Sequence, residues 1–545
     1  MNRIASTGLF TRAIKYGERM AIVNTPVEGL GHHGSLTYNQ LLNETARLST
    51  ELTKRGGRTD RDDINQERVA FMTTASTDYV CAQWGIWNAG GVAVPLSPLH
   101  PASDIEYFLN QSKASVVMAD QDNYDKVKDI VKSLNCTHWI DLIKLDKSTE
   151  KYNNQNNNKY NNNNNQNNNQ IFSIDRDRNA MIIYTSGTTN RPKGVVTTHA
   201  NIEAQISTLV DAWGWTENDK ILQVLPLHHV HGIINCLGSA LWSGAVCEMM
   251  PKFSAKAVID RFVQDKNGAP SRYQVPPLSV FMAVPTIYAK LIKYIETECD
   301  NDENRQEIKE AFQKLRLMVS GSSALPVPVM KKWKELSGHD LLERYGMTEI
   351  GMALSNPLHG QRIPGTVGFP LPGVETKVAK KSGELLIRGP QVFKEYFDNP
   401  KATAEAKDPE GWFATGDIVS VDKTGRYSIQ GRASVDILKC SGYKVSALEV
   451  EREILGNEKV EDCAVVGIPS VEYGEVVAAM VVVKPGQTLS KEELDQYCRT
   501  HIVGYKLPRI LRFVPEIPKN SMMKIDKKIV KKMIQDSIQI DSGNY

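Results

Sequence analysis

Residues 181–194 read Met181-Ile-Ile-Tyr184 and then Thr185-Ser-Gly-Thr-Thr-Asn-Arg-Pro-Lys-Gly194, an apolar run followed by a polar one. The polar run has what phosphate oxygens need. Its small residues let the backbone turn tightly, so that successive N–H groups and the hydroxyls of Thr185, Ser186, Thr188 and Thr189 can surround an anion. Gly187 and Asn190 suit the turn, Pro192 stiffens it, and Arg191 and Lys193 add positive charge. The run is not a Walker A loop, because Lys193 is followed by Gly rather than Ser or Thr. Taken alone it implies nucleotide binding, with a polar surface loop as the plainer alternative.

Other candidate chemistry is easier to limit. His228, His229 and His231 lie close together, but no Cys, Asp or Glu stands nearby in sequence to complete a zinc site. The eight cysteines are scattered and none forms a Cys-x-x-Cys pair, which argues against a disulfide framework and fits a reducing compartment. With 65 basic and 63 acidic residues the net charge is +2, so neither nucleic acid nor a membrane surface is expected as a main partner. No apolar run reaches the roughly 18 residues that a membrane span needs.

The elements that position these residues alternate between strand and helix. Strands are expected at Arg68–Met72, Val92–Leu96, Met181–Tyr184, Leu278–Val284 and Leu315–Val319. Helices are expected at Asp78–Ala89, from about Ala200, at Thr286–Glu298 and from Pro328 to Gly338. Such alternation predicts an α/β fold with parallel sheets covered by helices. The texture changes after about Gly431. Strands at 436–439, 461–468 and 476–483 are spaced by helices at 447–455 and 491–501, the latter with a capping box of Ser490 and Glu493. The expected division is 1–432 and a smaller α+β unit at 433–545. An Asn- and Gln-rich tract at 151–170 has no apolar face to bury and is expected to be a disordered insertion.

The chain resembles the adenylate-forming superfamily of acyl-CoA synthetases, luciferases and peptide-synthetase adenylation domains. Beside the polar loop, the resemblance rests on Leu225-Pro-Leu-His-His-Val-His-Gly232, Ser320-Gly-Ser-Ser-Ala-Leu-Pro326, Glu343-Arg-Tyr-Gly-Met-Thr-Glu349, Thr415-Gly-Asp417, Gly431-Arg432 and Pro518-Lys-Asn-Ser-Met-Met-Lys524, in family order over almost the whole chain. It implies a large ATP-binding domain of stacked sheets and a small mobile C-terminal lid. Asp417 and Arg432 would hold ribose and phosphate, Tyr345 would stack on adenine, and Thr348 would donate to the α-phosphate. Glu349 would take a Mg²⁺ held largely by ATP and water. Lys524 would bridge the acid and the α-phosphate. His229 would line the acid pocket and gate coenzyme A, and the segment around Gly442 would face the site after the lid turns near Ser434. Three positions depart from the family pattern: Asn190 and Met523 replace Gly, and Ser434 replaces Asp or Lys. Asn tolerates left-handed backbone; Met at such a position costs on the order of 1–2 kcal/mol.

Segments 281–288, 343–356 and 434–451 are similar to malonyl-CoA synthetases, most of all the animal mitochondrial branch, which acts on malonate and methylmalonate. A dicarboxylate must have its second charge neutralised, a task suited to Arg344 or Arg362; Arg344 is equally suited to a structural role. The implied partners are ATP, Mg²⁺, coenzyme A and a small dicarboxylic acid. A medium-chain fatty acid as substrate, or a non-catalytic binding or assembly protein of this fold, are the alternatives. Arg3, Arg12, Lys15 and Arg19 resemble a mitochondrial presequence, yet the segment from Thr11 reads as a helix leading into a strand. A cytoplasmic location is therefore expected, with the mitochondrial matrix as the alternative that the resemblance implies.

Overall fold

The computed structural model describes residues 3–25, 34–54, 63–134, 141–145, 170–185, 191–268, 275–299, 301–440, 443–470, 472–519 and 525–542. Ser186, Gly187, Thr188, Thr189, Asn190, Gly442, Met523 and Lys524 lie outside them, as do residues 151–169 of the Asn-rich tract.

Three large sheets and a two-stranded one make up the larger part of the chain. A seven-stranded sheet runs in the order Glu395–Tyr396, Lys193–Thr198, Asn179–Thr185, Val92–Leu96, Arg68–Met72, Val116–Ala119, Asp141–Lys144. A nine-stranded sheet runs from Phe369–Pro370 through Gly351–Ser355, Leu342–Met347, Leu317–Ser320 and Val280–Ala283 to Lys220–Gln223, Val246–Met249, Met20–Asn24 and Leu36–Thr37. Helices such as Thr77–Asn88 and Pro285–Glu298 bury apolar faces among them, and Trp84, Trp213 and Trp333 are fully enclosed. Burying side chains of this size is the main driving force for such layers.

The expected strands and helices of this part are present within a few residues of their predicted ends. The parallel expectation needs correcting at several pairings, among them Leu342–Met347 with Gly351–Ser355 and Met20–Asn24 with Leu36–Thr37, and one of them bears directly on the polar run. Lys193–Thr198 is a strand antiparallel to Asn179–Thr185, with Lys193 opposite Thr185, so the polar run closes a hairpin rather than leading directly into a helix. The helix His199–Ala212 then starts with a capping box of Thr198 and Asn201. A four-stranded antiparallel sheet, Glu375–Val378, Glu384–Arg388, Phe413–Val421 and Tyr427–Arg432, carries two of the candidate residues and was not read from the sequence.

The C-terminal unit is a five-stranded sheet. Val460–Ser470 and Gly474–Val483 form a long antiparallel pair, and Ile510–Phe513 joins the latter in parallel. The helices Ala447–Ile454 and Lys491–His501 cover it, and the predicted Ser490–Glu493 capping box is formed. Its apolar core, including Val445, Val450, Val465 and Leu494, is separate from that of the larger unit. A large N-terminal unit with a small C-terminal one is the architecture expected from the sequence. Gln170 begins the strand Gln170–Phe172, paired with Arg3–Ala5, so the last residue assigned to the insertion belongs to the fold.

Candidate active site

Residues from the seven-, nine- and four-stranded sheets contribute to one cluster. Asp417 and Arg432 are fifteen positions apart in sequence but directly opposed on neighbouring antiparallel strands. This register places Arg432 Nε 3.1 Å from Asp417 Oδ1. Tyr345, from the nine-stranded sheet, donates its hydroxyl to Asp417 Oδ2 at 2.6 Å. Burial and the adjacent carboxylate push the Tyr345 phenol well above its ordinary range, so it stays a donor. Each carboxylate oxygen keeps a second lone pair, enough for Asp417 to accept from ribose hydroxyls as well.

Thr348 and Glu349 lie in the turn after Leu342–Met347. Gly346 permits this turn: a Cβ there would stand 2.1 Å from the Gly351 carbonyl oxygen. Glu349 is 6% exposed. Its Oε1 accepts from the Tyr396 hydroxyl at 2.9 Å, and Lys193 Nζ lies 4.9 Å from the centre of the same ring. Burial raises the Glu349 carboxyl, and the Tyr396 hydroxyl partly opposes that rise. A buried hard oxygen ligand of this kind fits a Mg²⁺ that keeps most of its coordination to water and phosphate. No group of three or more His, Cys, Asp or Glu able to hold a metal occurs among the described residues. Tyr396 was missed at the sequence level. It lies in the two-residue strand Glu395–Tyr396, and only that strand's pairing with Lys193–Thr198 brings it to the cluster. Arg191 stands over the Tyr107 ring at 5.3 Å, while Pro192 O accepts from the Tyr107 hydroxyl at 2.8 Å.

Arg344 precedes Tyr345 on the same strand, and side chains alternate along a strand, so it serves a different pocket. It is 3% exposed. Its Nη2 donates to Ser322 Oγ at 3.4 Å, and that oxygen also contacts His231 Nδ1 at 3.1 Å. Arg344 Nε and His231 Nε2 are buried with no hydrogen-bond partner. Among the described residues no carboxylate forms an ion pair with Arg344. Burial lowers its guanidinium to about 10, still charged at neutral pH. Gly321 makes room for it, since a Cβ there would lie 2.5 Å from the guanidinium carbon. Ser322, with φ of 72°, turns the chain toward Arg344.

His229 is half-buried, its ring 4.1 Å from that of His228. His231 begins a π-helix, His231–Gly238, of a kind often found at functional sites. Arg362 has a different setting from Arg344. Its guanidinium donates to the backbone carbonyls of Pro357, Leu358 and Asp340, so it clamps a loop and has little capacity left for a ligand. The structure brings together Thr185, Lys193, Tyr345, Glu349, Asp417 and Arg432, places Arg344 beside them, and leaves Arg362 apart. All the cysteines among the described residues are buried free thiols.

The sequence profile of the AMP-binding enzyme family matches residues 9–397, and that of the AMP-binding enzyme C-terminal domain matches 449–524. The chain is 43% identical to the mitochondrial malonate–CoA ligase ACSF3 of Homo sapiens, over 96% of this chain and 91% of that one. ATP-bound MatB from Rhodopseudomonas palustris superposes with a TM-score of 0.80 at 27% identity, covering 97% and 99% of the two chains. A malonyl-CoA ligase in ternary complex with methylmalonyl-CoA and AMP gives a TM-score of 0.60 at 29% identity, covering 92% and 97%.

Proposed function

The chain belongs to the AMP-binding enzyme family, and on that premise we propose that it ligates malonate to coenzyme A at the expense of ATP. It is an AMP-forming acid–thiol ligase, with ATP and coenzyme A as co-substrates. The observation that carries the choice of acid is Arg344, a buried guanidinium with no carboxylate partner among the described residues. An uncompensated charge of this kind is costly unless a ligand supplies the counter-ion. A monocarboxylate uses its only charge at the phosphate and cannot supply it; malonate or methylmalonate can.

One malonate carboxylate attacks the α-phosphorus of ATP, the bond to the β-phosphate oxygen breaks, and pyrophosphate leaves with that electron pair. Arg344 and Ser322 hold the distal carboxylate and fix the attacking one in line. Asp417 and Arg432 hold the ribose, Tyr345 covers the adenine, and Thr348 donates to the α-phosphate. Lys193 and the polar loop receive the β- and γ-phosphates. Glu349 would hold Mg²⁺, which offsets charge on the phosphate oxygens when bound. Lys524 neutralises the charge that develops between carboxylate and phosphate. The small unit, with its boundary at 432/433, then turns near Ser434 and brings the segment around Gly442 to the site, past His229. The thiolate of coenzyme A attacks the acyl carbon and AMP departs. No enzyme nucleophile is required.

The test is coenzyme A-dependent AMP release across malonate, methylmalonate, acetate and octanoate. Malonate or methylmalonate should far exceed acetate, and Arg344→Leu should lower kcat/KM for malonate on the order of 10²-fold while sparing acetate. Equal wild-type rates on acetate and malonate would sink the dicarboxylate reading. The mitochondrial relative supports the matrix as the compartment, over the cytoplasm preferred from the N-terminal residues.

A further inference from the structure

A continuous series of hydrogen bonds leads from the Asp417 cluster into the small unit. Tyr345 donates to Asp417, and Asp417 accepts from Arg432. The Arg432 backbone N–H donates to Asp436 Oδ2 at 3.0 Å, and Asp436 Oδ1 accepts from Lys527 Nζ at 2.6 Å. Lys527 Nζ also meets Glu451 Oε1 at 2.7 Å, an oxygen that takes the Val465 N–H at 2.8 Å. Lys527, Asp436 and Glu451 have side chains only 11%, 14% and 11% exposed. Three enclosed charges are a poor way to stabilise a small unit, since apolar residues of similar volume often do as well; the best-attested use of such groups is to set register or a switch.

Their position gives that use a content. Asp436 lies just beyond the exposed Ser434, and Lys527 opens the last helix, Lys527–Ser542. Lys527 is three residues past Lys524. The ends of the segment that contains Lys524 are held to each other, by a bridge between Lys519 and Ile525 and by the Asp526 N–H donating to Pro518 O at 2.9 Å. Asp436 therefore accepts at once from the ribose-side residue Arg432 and from the foot of the lysine segment.

We propose that Lys527 and Asp436 are positioning residues for adenylation, tying the start of the last helix to the ribose-side residue Arg432. The inference rests on the reading of this chain as a two-step ligase whose small unit turns near Ser434. On that turn the Arg432–Asp436 hydrogen bond breaks, while Lys527, Asp436 and Glu451 travel together. On this proposal the Arg432–Asp436 contact serves the adenylation pose, and its loss selectively weakens the first half-reaction. No bond or proton is exchanged at either residue.

The two half-reactions are separable in the full-length protein. Malonate-dependent ATP–pyrophosphate exchange reads adenylation, and AMP-dependent release of coenzyme A from malonyl-CoA reads the thioester step in reverse. Lys527→Met and Asp436→Asn should each slow exchange on the order of 10²-fold while coenzyme A release stays within about threefold, and Lys527→Arg should restore most of the exchange. If Lys527→Met loses both activities through misfolding, Asp436→Asn decides, because it retains the Lys527–Glu451 pair. Equal loss of both half-reactions in Asp436→Asn, or no loss of either, overturns the proposal. Failure of the malonate reading shows separately, as a wild type that exchanges with another acid but not with malonate; the variants are then compared on that acid.

Discussion

Three consecutive residues on one strand carry three different burdens. Glu343 is 4% exposed; its Oε1 accepts from the Leu325 N–H at 2.9 Å and its Oε2 has no partner. Burial pushes its carboxyl up to about 7. Arg344 carries a charge with no ion-pair partner among the described residues, and Tyr345 fixes Asp417. The Glu343 shift has a direct consequence for stability. Below the unfolded value of 4.5 the group is protonated in both states and contributes nothing. Between about 4.5 and about 7 the folded state keeps a proton that the unfolded state has lost, so stability falls as pH rises through this window. Glu343→Gln should flatten that part of the Tm-against-pH curve. An unchanged slope would show that another group is responsible. The motif containing Glu343, Arg344 and Tyr345 was legible in the sequence. Which of its charges lacked a partner was not, because that depends on Ser322 and His231, from two other segments.

At the scale of elements, the turn after Leu317–Ser320 shapes the acid pocket. Gly321 and the left-handed Ser322 let the backbone pass within reach of the Arg344 side chain. Gly321→Ala should displace the guanidinium, raising KM for malonate roughly tenfold or more with little change in KM for ATP. A parallel rise in both would instead indicate a general disturbance of the strand. Local patterns had shown most helices and parallel strands, since apolar periodicity and capping residues act over a few residues. They did not show the Lys193–Thr198 hairpin strand or the four-stranded sheet. Both are antiparallel: the first pairs across the polar run with Asn179–Thr185 and on its other edge with the distant Tyr396, and the second sets Asp417 opposite Arg432, registers that no local periodicity announces.

For the whole molecule, the question is what the Asn-rich tract contributes. It enters after Asp141–Lys144, at one edge of the seven-stranded sheet, and returns at Gln170–Phe172 beside the N-terminal strand. Replacing 152–169 by a short flexible linker while keeping Gln170 should leave kcat and both half-reactions within about twofold, because loop length weakly affects closure entropy. A large fall in activity would assign the tract a part in catalysis.

The order of the motifs determined the class of reaction, since phosphate, ribose and acyl-transfer chemistry each impose residue types that survive as short local strings. The tertiary structure decided what those strings do to one another. It separated Arg344 from Arg362, added Tyr396 to Glu349, and revealed Lys527 bound to Asp436. The physical reason is the same in each case: a charge's function depends on which partners remain to it after folding, and those partners come from parts of the chain that share no local pattern.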